Sequence, residues 1–299
     1  LTTSAEEHKS PFVGGDVPDE AYRQISEVLR EQQNFILDGY KDLCIKRRIA
    51  ARIRAVGESC AEGYVEKLAA SEKEQRQLLT ALSIHVSHFF RNPSTFRMLE
   101  KKVLPELLRR AVQQKSKLRI WSVGCANGEE PYSLALLCKK MKIEAEQMSI
   151  IATDLSPEAL QRAKRGCYEA NRLRELSEEQ LESFFTVRQQ QYCLHEEIRR
   201  LVRFFRHDIL SDQPFYRADL ILCRNVLIYF SREQQQRILQ ILAAALPEGG
   251  YLVLGRAETL VSSCRELFRC IDPAERVYQR LKKEEQLLPT SLVQQLQNF

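Results

Sequence analysis

Between Leu118 and Gly255, short apolar runs alternate with amphipathic helical segments, and few folds accommodate that order. Leu118–Val123 (LRIWSV), Ser149–Thr153 (SIIAT), Val202–Arg206, Ala218–Cys223 and Tyr251–Gly255 read as strands. Glu129–Met141, Pro157–Arg165 and Glu233–Leu246 have the spacing of helices between them. Strands that follow one another through helices run parallel, and a parallel sheet needs helices on both faces. The expected fold is therefore α/β, a doubly wound Rossmann-like sheet. Arg276–Leu281 (RVYQRL) alternates again and is expected to be a final edge strand.

The first ninety positions lack such alternation. Tyr22, Ile25, Val28, Leu29 and Ile36, then Leu43, Ile45, Ile49 and Ile53, recur near helical spacing, and Glu62–Leu68 and Glu72–Leu82 add two more helices. The partition is a flexible lead-in at 1–19, an N-terminal all-helical domain at 20–90, an α/β domain at 91–282 and a tail or linker at 283–299. Opening on Leu1 rather than Met, with a polar, Gly-containing start, the sequence reads as a fragment or processed chain without a signal pattern. In the α/β domain, 93–114 reads as a helix interrupted by Pro105. Residues 167–200 break the alternation. There Ser177–Phe184 suggests a short helix and Phe185–Leu194 a hairpin, whose turn must form without glycine, since none occurs between Gly166 and Gly249.

Composition excludes several classes. At 299 residues and 44% hydrophobic the chain is neither disordered nor membrane-spanning, its apolar runs falling short of the ~18–20 residues a span needs. A net charge of +5 over this length does not by itself argue for nucleic acid. The nine cysteines form no CxxC pair and several lie in apolar stretches, which predicts buried reduced thiols in a cytoplasmic protein and no metal site.

Function is concentrated after the first strand, in Gly124-Cys-Ala-Asn-Gly128-Glu129-Glu130-Pro131-Tyr132-Ser133. Two glycines in a strand–helix turn let a ligand approach backbone N–H groups. The spacing is G-x-x-x-G rather than G-x-G-x-x-G, and Glu129 and Glu130 occupy the helix N-terminus where a dinucleotide fold rests its diphosphate. Two acids there repel phosphate and favour a cation. S-adenosylmethionine, with its sulfonium and ammonium and no phosphate, fits. Asp154 at the tip of the second strand suits a ribose, and Arg224 and Asn225 follow the fourth strand where ligands of doubly wound sheets bind. Singly, each has a plain reading as a turn glycine, a dipole-offsetting acid or a polar loop residue; together they mark successive carboxyl ends of one sheet.

With these residues in view, the chain from about 20 to 281 resembles the chemotaxis receptor methyltransferase family (CheR). The resemblance rests on His85-Val-Ser87-His-Phe89-Phe90-Arg91, GCANGEEPYS at 124–133, Ala152-Thr-Asp154 and Cys223-Arg-Asn225-Val-Leu-Ile-Tyr229-Phe230. It implies a class I methyltransferase sheet behind a helical domain, with a small β-subdomain insert at about 167–200. It further implies methyl transfer from S-adenosylmethionine to glutamate γ-carboxylates on the cytoplasmic helices of chemoreceptors, leaving S-adenosylhomocysteine. By position it implies cofactor contacts from His85, Ser87, Arg91, Gly124, Glu129, Asp154, Asp208, Ile209, Arg224 and Asn225. His85, Ser87 and Asp208 stand where the family usually has Asn, Thr and often Asn, and Asn127 stands where it often has Ser or Thr.

A glutamate with an ordinary pKa near ~4.3 is ionised at neutral pH and needs no general base, so catalysis is expected to be alignment, with Arg91 steering the substrate carboxylate and Tyr229 lining the transfer point. Lys41–Arg54 carries a surplus of five positive charges. Lys46, Arg47, Arg48, Arg52 and Arg54 are the docking candidates for an acidic receptor helix, the plain alternative being a solvated face. The short, glycine-free Phe185–Tyr192 segment predicts action without a receptor pentapeptide tether. The expected form is a cytoplasmic monomer with neither nucleic acid nor membrane insertion. A nucleic-acid methyltransferase is disfavoured because Arg224-Asn225-Val226-Leu227 replaces a (D/N)PP(Y/F) loop, and a catalytically silent cofactor-binding scaffold is the other alternative.

Overall fold

The computed structural model describes residues 12, 17–33, 35, 37, 40–82, 87–213 and 217–282. Most of the lead-in, Ile36, His85 and the tail from 283 lie outside the described residues. These form two units, one of residues up to 84 together with Tyr229–Ser231, the other of the remainder.

The helical unit holds α1 (Asp19–Gln33), α2 (Asp42–Ala55), α3 (Ala61–Ala70) and α4 (Glu72–Leu82). Buried residues recur every fourth position in α1 (Ala21, Ile25, Leu29) and α2 (Ile45, Ile49, Ile53), giving each one apolar face. Acids in the first turn of α1, Asp19 and Glu20, offset its dipole. One polar cluster in its core is charged. Glu74 of α4 takes two hydrogen bonds from Arg52 (2.8 and 2.7 Å) and one from the Tyr64 hydroxyl (2.9 Å), so buried charge is met by charge.

The second unit begins with α5 (Pro93–Met98), a π-helical turn (Leu99–Val103) and α6 (Leu104–Gln113). Pro105 is expected to interrupt this helix, and α-helical pairing does give way just before it to the wider turn at Leu99–Val103, with α6 reopening around Pro105 in its first turn.

Next come β1 (Leu118–Val123), α7 (Glu129–Lys140), β2 (Met148–Asp154), α8 (Pro157–Arg165), β3 (Cys167–Tyr168), α9 (Glu178–Phe184), β4 (Phe185–Arg188), β5 (Gln191–Leu194) and α10 (Glu196–Arg199). They are followed by β6 (Val202–Arg206), β7 (Leu220–Cys223), α11 (Arg232–Ala245), β8 (Tyr251–Leu254), β9 (Phe268–Asp272) and β10 (Val277–Arg280). The main sheet has the order β6-β2-β1-β7-β8-β10-β9, parallel from β6 to β8, with β10 antiparallel to both neighbours. Every residue of β7 and β8 is buried, as their continuous apolar runs require. Ser156 caps α8 through its hydroxyl (3.2 Å from the Ala159 N–H), with Pro157 at the first helical position.

Two sequence readings need correction. The segment at 277–280 is an interior strand, and the edge is β9, missed because only Phe268 of its five residues is buried and no period shows. The cysteines are not all reduced and buried. Cys167 and Cys193 form a disulfide, while Cys60 and Cys270 are exposed. In the small antiparallel sheet β3-β5-β4, Cys167 is the register partner of Cys193, which brings the two Cα atoms within 4.0 Å. Cross-strand pairing is a property of the folded sheet, so spacing along the chain gave no sign of it. The β4–β5 turn is made by Gln189 (φ 47°) and Gln190 (φ 64°), a left-handed pair without glycine.

Candidate functional site

The carboxyl ends of β1, β2, β6 and β7 carry the turn at 124–128, Asp154, the 207–210 segment and the 224–228 segment. Gly124 (φ +65°) tolerates no side chain, since a Cβ there would lie 2.5 Å from Val226 Cγ2. At Gly128 (φ +90°) a Cβ would meet Ala163, Tyr132 and Phe204 at 3.0–3.3 Å. These contacts let the turn pack tightly against both the fourth-strand loop and α8. Asp154 locks it from the second strand. Its Oδ2 accepts the Ala126 N–H (2.8 Å) and its Oδ1 the Ser156 N–H (2.9 Å). Held on both oxygens, this nearly buried group is fixed in orientation at the tip of β2.

The two acids at the start of α7 separate. Glu130 accepts hydrogen bonds from Ser122 Oγ (2.8 Å) and from Arg224 Nη1 (3.2 Å), so its charge is matched within the protein. Glu129 is 0% exposed and has Arg172 Nη1 3.7 Å from Oε1. Of the acidic pair expected to attract a cation together, Glu129 lines a cavity of about 170 Å³ with Asn127, Arg162, Tyr168 and Arg172. A carboxylate and guanidinium groups around one small space can hold the ammonium and carboxylate of an amino-acid zwitterion.

Two arginines fix the 87–92 segment. Arg172 donates to the Ser87 carbonyl (2.5 Å) and its own carbonyl accepts the Phe89 N–H (2.9 Å). Arg224 donates to the Arg91 carbonyl (2.7 Å) and to Asn92 Oδ1 (2.8 Å), and its guanidinium lies 5.6 Å from the centre of the Phe96 ring. Phe90 and Asn92 are left-handed (φ 50° and 62°), and the Phe90 N–H is held by Ser133 Oγ at 2.8 Å. The structure thus makes the buried Arg224 a strut under the backbone that carries Arg91, itself half-buried.

Asp208 closes a turn, accepting the Leu210 N–H (2.9 Å) on Oδ1, while Ile209 is buried. The His207 N–H donates to the Asp154 carbonyl (3.1 Å), which ties this turn to the end of β2. Asn225 is left-handed (φ 60°) and its N–H donates to Glu258 Oε2 at 2.8 Å. Glu258 also accepts N–H groups from Gly255 (2.6 Å) and Ile228 (3.3 Å). Burial pushes its carboxyl pKa up, against the pull of these backbone donors. Burial also raises the Cys125 and Cys223 thiols well above their usual range, the opposite of what a thiolate nucleophile requires. Sequence reasoning missed Arg172 and Glu258. One lies in the irregular insert and the other in a loop, where no period or motif singles them out.

Tyr229 belongs to the helical unit, where the Arg48 guanidinium lies 4.9 Å from its ring centre. The basic run of α2 does not present one common face. Lys46 pairs with Asp19, Arg48 donates to the Leu82 carbonyl and Arg52 is committed to Glu74, while Arg47 and Arg54 are exposed. No cluster of His, Cys, Asp or Glu arranged to hold a metal occurs among the described residues, and no described helix is long and apolar enough to cross a membrane.

Comparison with known proteins matches residues 85–277 to the family described as CheR methyltransferase, SAM binding domain, and residues 20–83 to CheR methyltransferase, all-alpha domain. The chain belongs to the CheR methyltransferase family. It is 35% identical to a chemotaxis protein methyltransferase of Listeria innocua over 248 residues, covering 82% of this chain and 93% of that one. Its likeness to the Listeria monocytogenes chemotaxis protein methyltransferase has the same identity and coverage. It is also 37% identical over 268 residues to an uncharacterized 104.1 kDa protein in the hypE 3′ region of Rhodobacter capsulatus, covering 89% of this chain but spanning only 28% of that protein. The match over 85–277 is to a domain described as SAM binding. In this chain that region places Asp154 at the end of β2 and Glu129 at the start of α7.

Proposed function

We propose that the protein methylates glutamate γ-carboxylates on the cytoplasmic helices of chemoreceptors, with S-adenosylmethionine as methyl donor, acting as a monomer in the cytoplasm. The observation that carries this reading is Glu129, fully buried at the N-terminus of α7 with Arg172 beside it. A helix N-terminus guarded this way disfavours a diphosphate and suits the amino-acid end of S-adenosylmethionine, with Asp154 assigned to the ribose. When bound, S-adenosylmethionine supplies a methyl group made electrophilic by its sulfonium.

What the chain contributes is orientation. A substrate glutamate is already ionised at neutral pH, so no side chain has to remove a proton. Arg91, on a backbone fixed by Arg172 and Arg224, is assigned to steering the carboxylate oxygen into line, an effect that can supply several kcal/mol. Arg91→Ala should therefore lower turnover far more than cofactor affinity. The two-residue Gln189-Gln190 turn leaves the β4–β5 hairpin short, which supports action without a pentapeptide tether. Micromolar binding of such a peptide by calorimetry would refute that part.

The test of the whole reading is transfer of a radiolabelled methyl group to receptor signalling-domain fragments, followed by mild base. Base-labile label released as methanol is expected from a carboxyl ester. Label that survives base, or that enters nucleic acid instead, overturns the assignment.

A further inference from the structure

At the opposite end of the parallel strands lies a larger hollow of about 620 Å³. Its lining includes Lys115, Lys117, Arg119, Arg200 and Arg203 and no aspartate or glutamate. These five cations come from the approach to β1, from β1 itself, from the segment leading into β6 and from β6. The hollow is remote from the site described above. Arg119 and Gly124 are separated by five steps of strand and turn, about 16 Å at the usual rise.

Strand register explains how the cations meet. Arg119 of β1 is the partner of Ser149 of β2, and Ile151, two residues on, is the partner of Arg203 of β6. Neighbours in register share a face, so Arg119, Ser149 and Arg203 stand on one side of three adjacent strands. Arg203 donates to Ser149 Oγ at 2.9 Å, and Arg200 forms an ion pair with Glu196 one turn earlier. Phe205, 40% exposed, continues the same face beyond Arg203. Faces of parallel sheets are ordinarily apolar and covered, so convergent guanidinium and ammonium groups here oppose both the pattern of the fold and their mutual repulsion.

We propose that this hollow binds a free nucleotide through its polyphosphate chain. Cations gathered around one hollow match a compact, multiply charged anion. An acidic peptide would spread its charges along a track. Arginine forks and serine hydroxyls suit phosphate oxygens, the volume lies in the range of small-molecule sites, and Phe205, outside the lining but two residues from Arg203 on the same strand face, puts an aromatic ring beside the hollow for the base. This site is independent of the methyl-transfer reading and does not require it to hold.

The full chain is titrated calorimetrically with sodium tripolyphosphate, ATP and a poly-glutamate peptide at one fixed ionic strength. Saturable one-to-one binding of tripolyphosphate is expected, and tighter binding of ATP. Arg119→Ala combined with Arg203→Ala should weaken both by at least about tenfold, with folding checked by circular dichroism. Lys117→Ala, on an exposed side chain, should weaken both with the fold intact, whereas Arg162→Ala, in the smaller cavity, should leave both unchanged. Phe205→Ala should bring ATP down to the level of tripolyphosphate. Absence of saturable binding, equal binding by the double variant, ATP binding no tighter than tripolyphosphate, or preference for poly-glutamate would each overturn the proposal.

Discussion

The Glu258 carboxylate accepts the backbone N–H of Asn225 at 2.8 Å, and the same oxygen accepts the Gly255 N–H at 2.6 Å. One buried acid thereby ties the loop after β7 to the end of β8. Gly255 is obligatory for this arrangement, since a Cβ there would lie 2.6 Å from Glu258 Oε2 and 2.8 Å from the Asn225 nitrogen.

Glu258→Gln replaces one acceptor oxygen with a donor that faces N–H groups. Hydrogen bonds to charged groups are worth ~1.5–3 kcal/mol each, so the melting temperature should fall by several degrees. A positioning role requires more than that. At a temperature where the variant is folded, kcat should drop about tenfold or more while KM for the cofactor changes less. A wild-type kcat would leave Glu258 with a structural role alone.

Glu129→Gln removes the buried one of the two carboxylates lining the small cavity, the other being Glu169, while keeping its shape. Affinity for S-adenosylhomocysteine, measured calorimetrically, should fall by roughly ten- to a hundredfold, the equivalent of one charged hydrogen bond. Thermal stability should hold or rise, because a desolvated carboxylate is removed. Unchanged affinity would mean that the cavity is not where the amino-acid end binds.

The helical unit should be acid-labile through Glu74. Burial alone would raise its carboxyl pKa, but Arg52 and the Tyr64 hydroxyl outweigh burial and hold it below the ordinary range. The folded state therefore favours the ionised form. This contribution is complete above the unfolded carboxyl value of ~4.3 and is lost as pH falls through the lower, folded value. Glu74→Gln should be less stable at neutral pH and show a flatter decline in acid, read by thermal melts across pH. Parallel melting curves for the two proteins would show that the pair does not set the acid response.

Thiol labelling of denatured protein without reductant should find two fewer reactive cysteines than after reduction, reflecting the Cys167–Cys193 bond. The bond closes a sequence separation of 26, for which chain entropy predicts a stabilisation of up to about 3.5 kcal/mol. Cys193→Ser should lower the melting temperature under oxidising conditions and match wild type in strong reductant. Full labelling without reductant would show the bond absent in solution.

Reversing charge along α2 should separate docking from folding. Arg47→Glu, on an exposed side chain, should slow methylation of receptor fragments several-fold at low salt and little at high salt, with stability unchanged. Arg52→Glu should destabilise the helical unit at any salt, because it places a second carboxylate against Glu74. Salt-independent rates in the Arg47 variant would remove α2 from the docking surface.

Local chemistry was legible before folding was considered. Apolar runs identified five of the strands in the main sheet, Pro157 opened the segment read as α8, and Gly124 and Gly128 identified the turn between β1 and α7, because period, a proline's fixed backbone and a left-handed turn are properties of neighbouring residues. Tertiary structure alone decided what the charged groups do. Glu129 and Glu130 are adjacent in sequence, yet Arg224 matches one and Arg172 stands beside the other, partners 94 and 43 positions away that only folding could bring to them. The same reason kept Glu258, the Cys167–Cys193 pair and the order of β9 and β10 out of reach. A charge or a thiol takes its role from the group opposite it, and that group is supplied by distant chain.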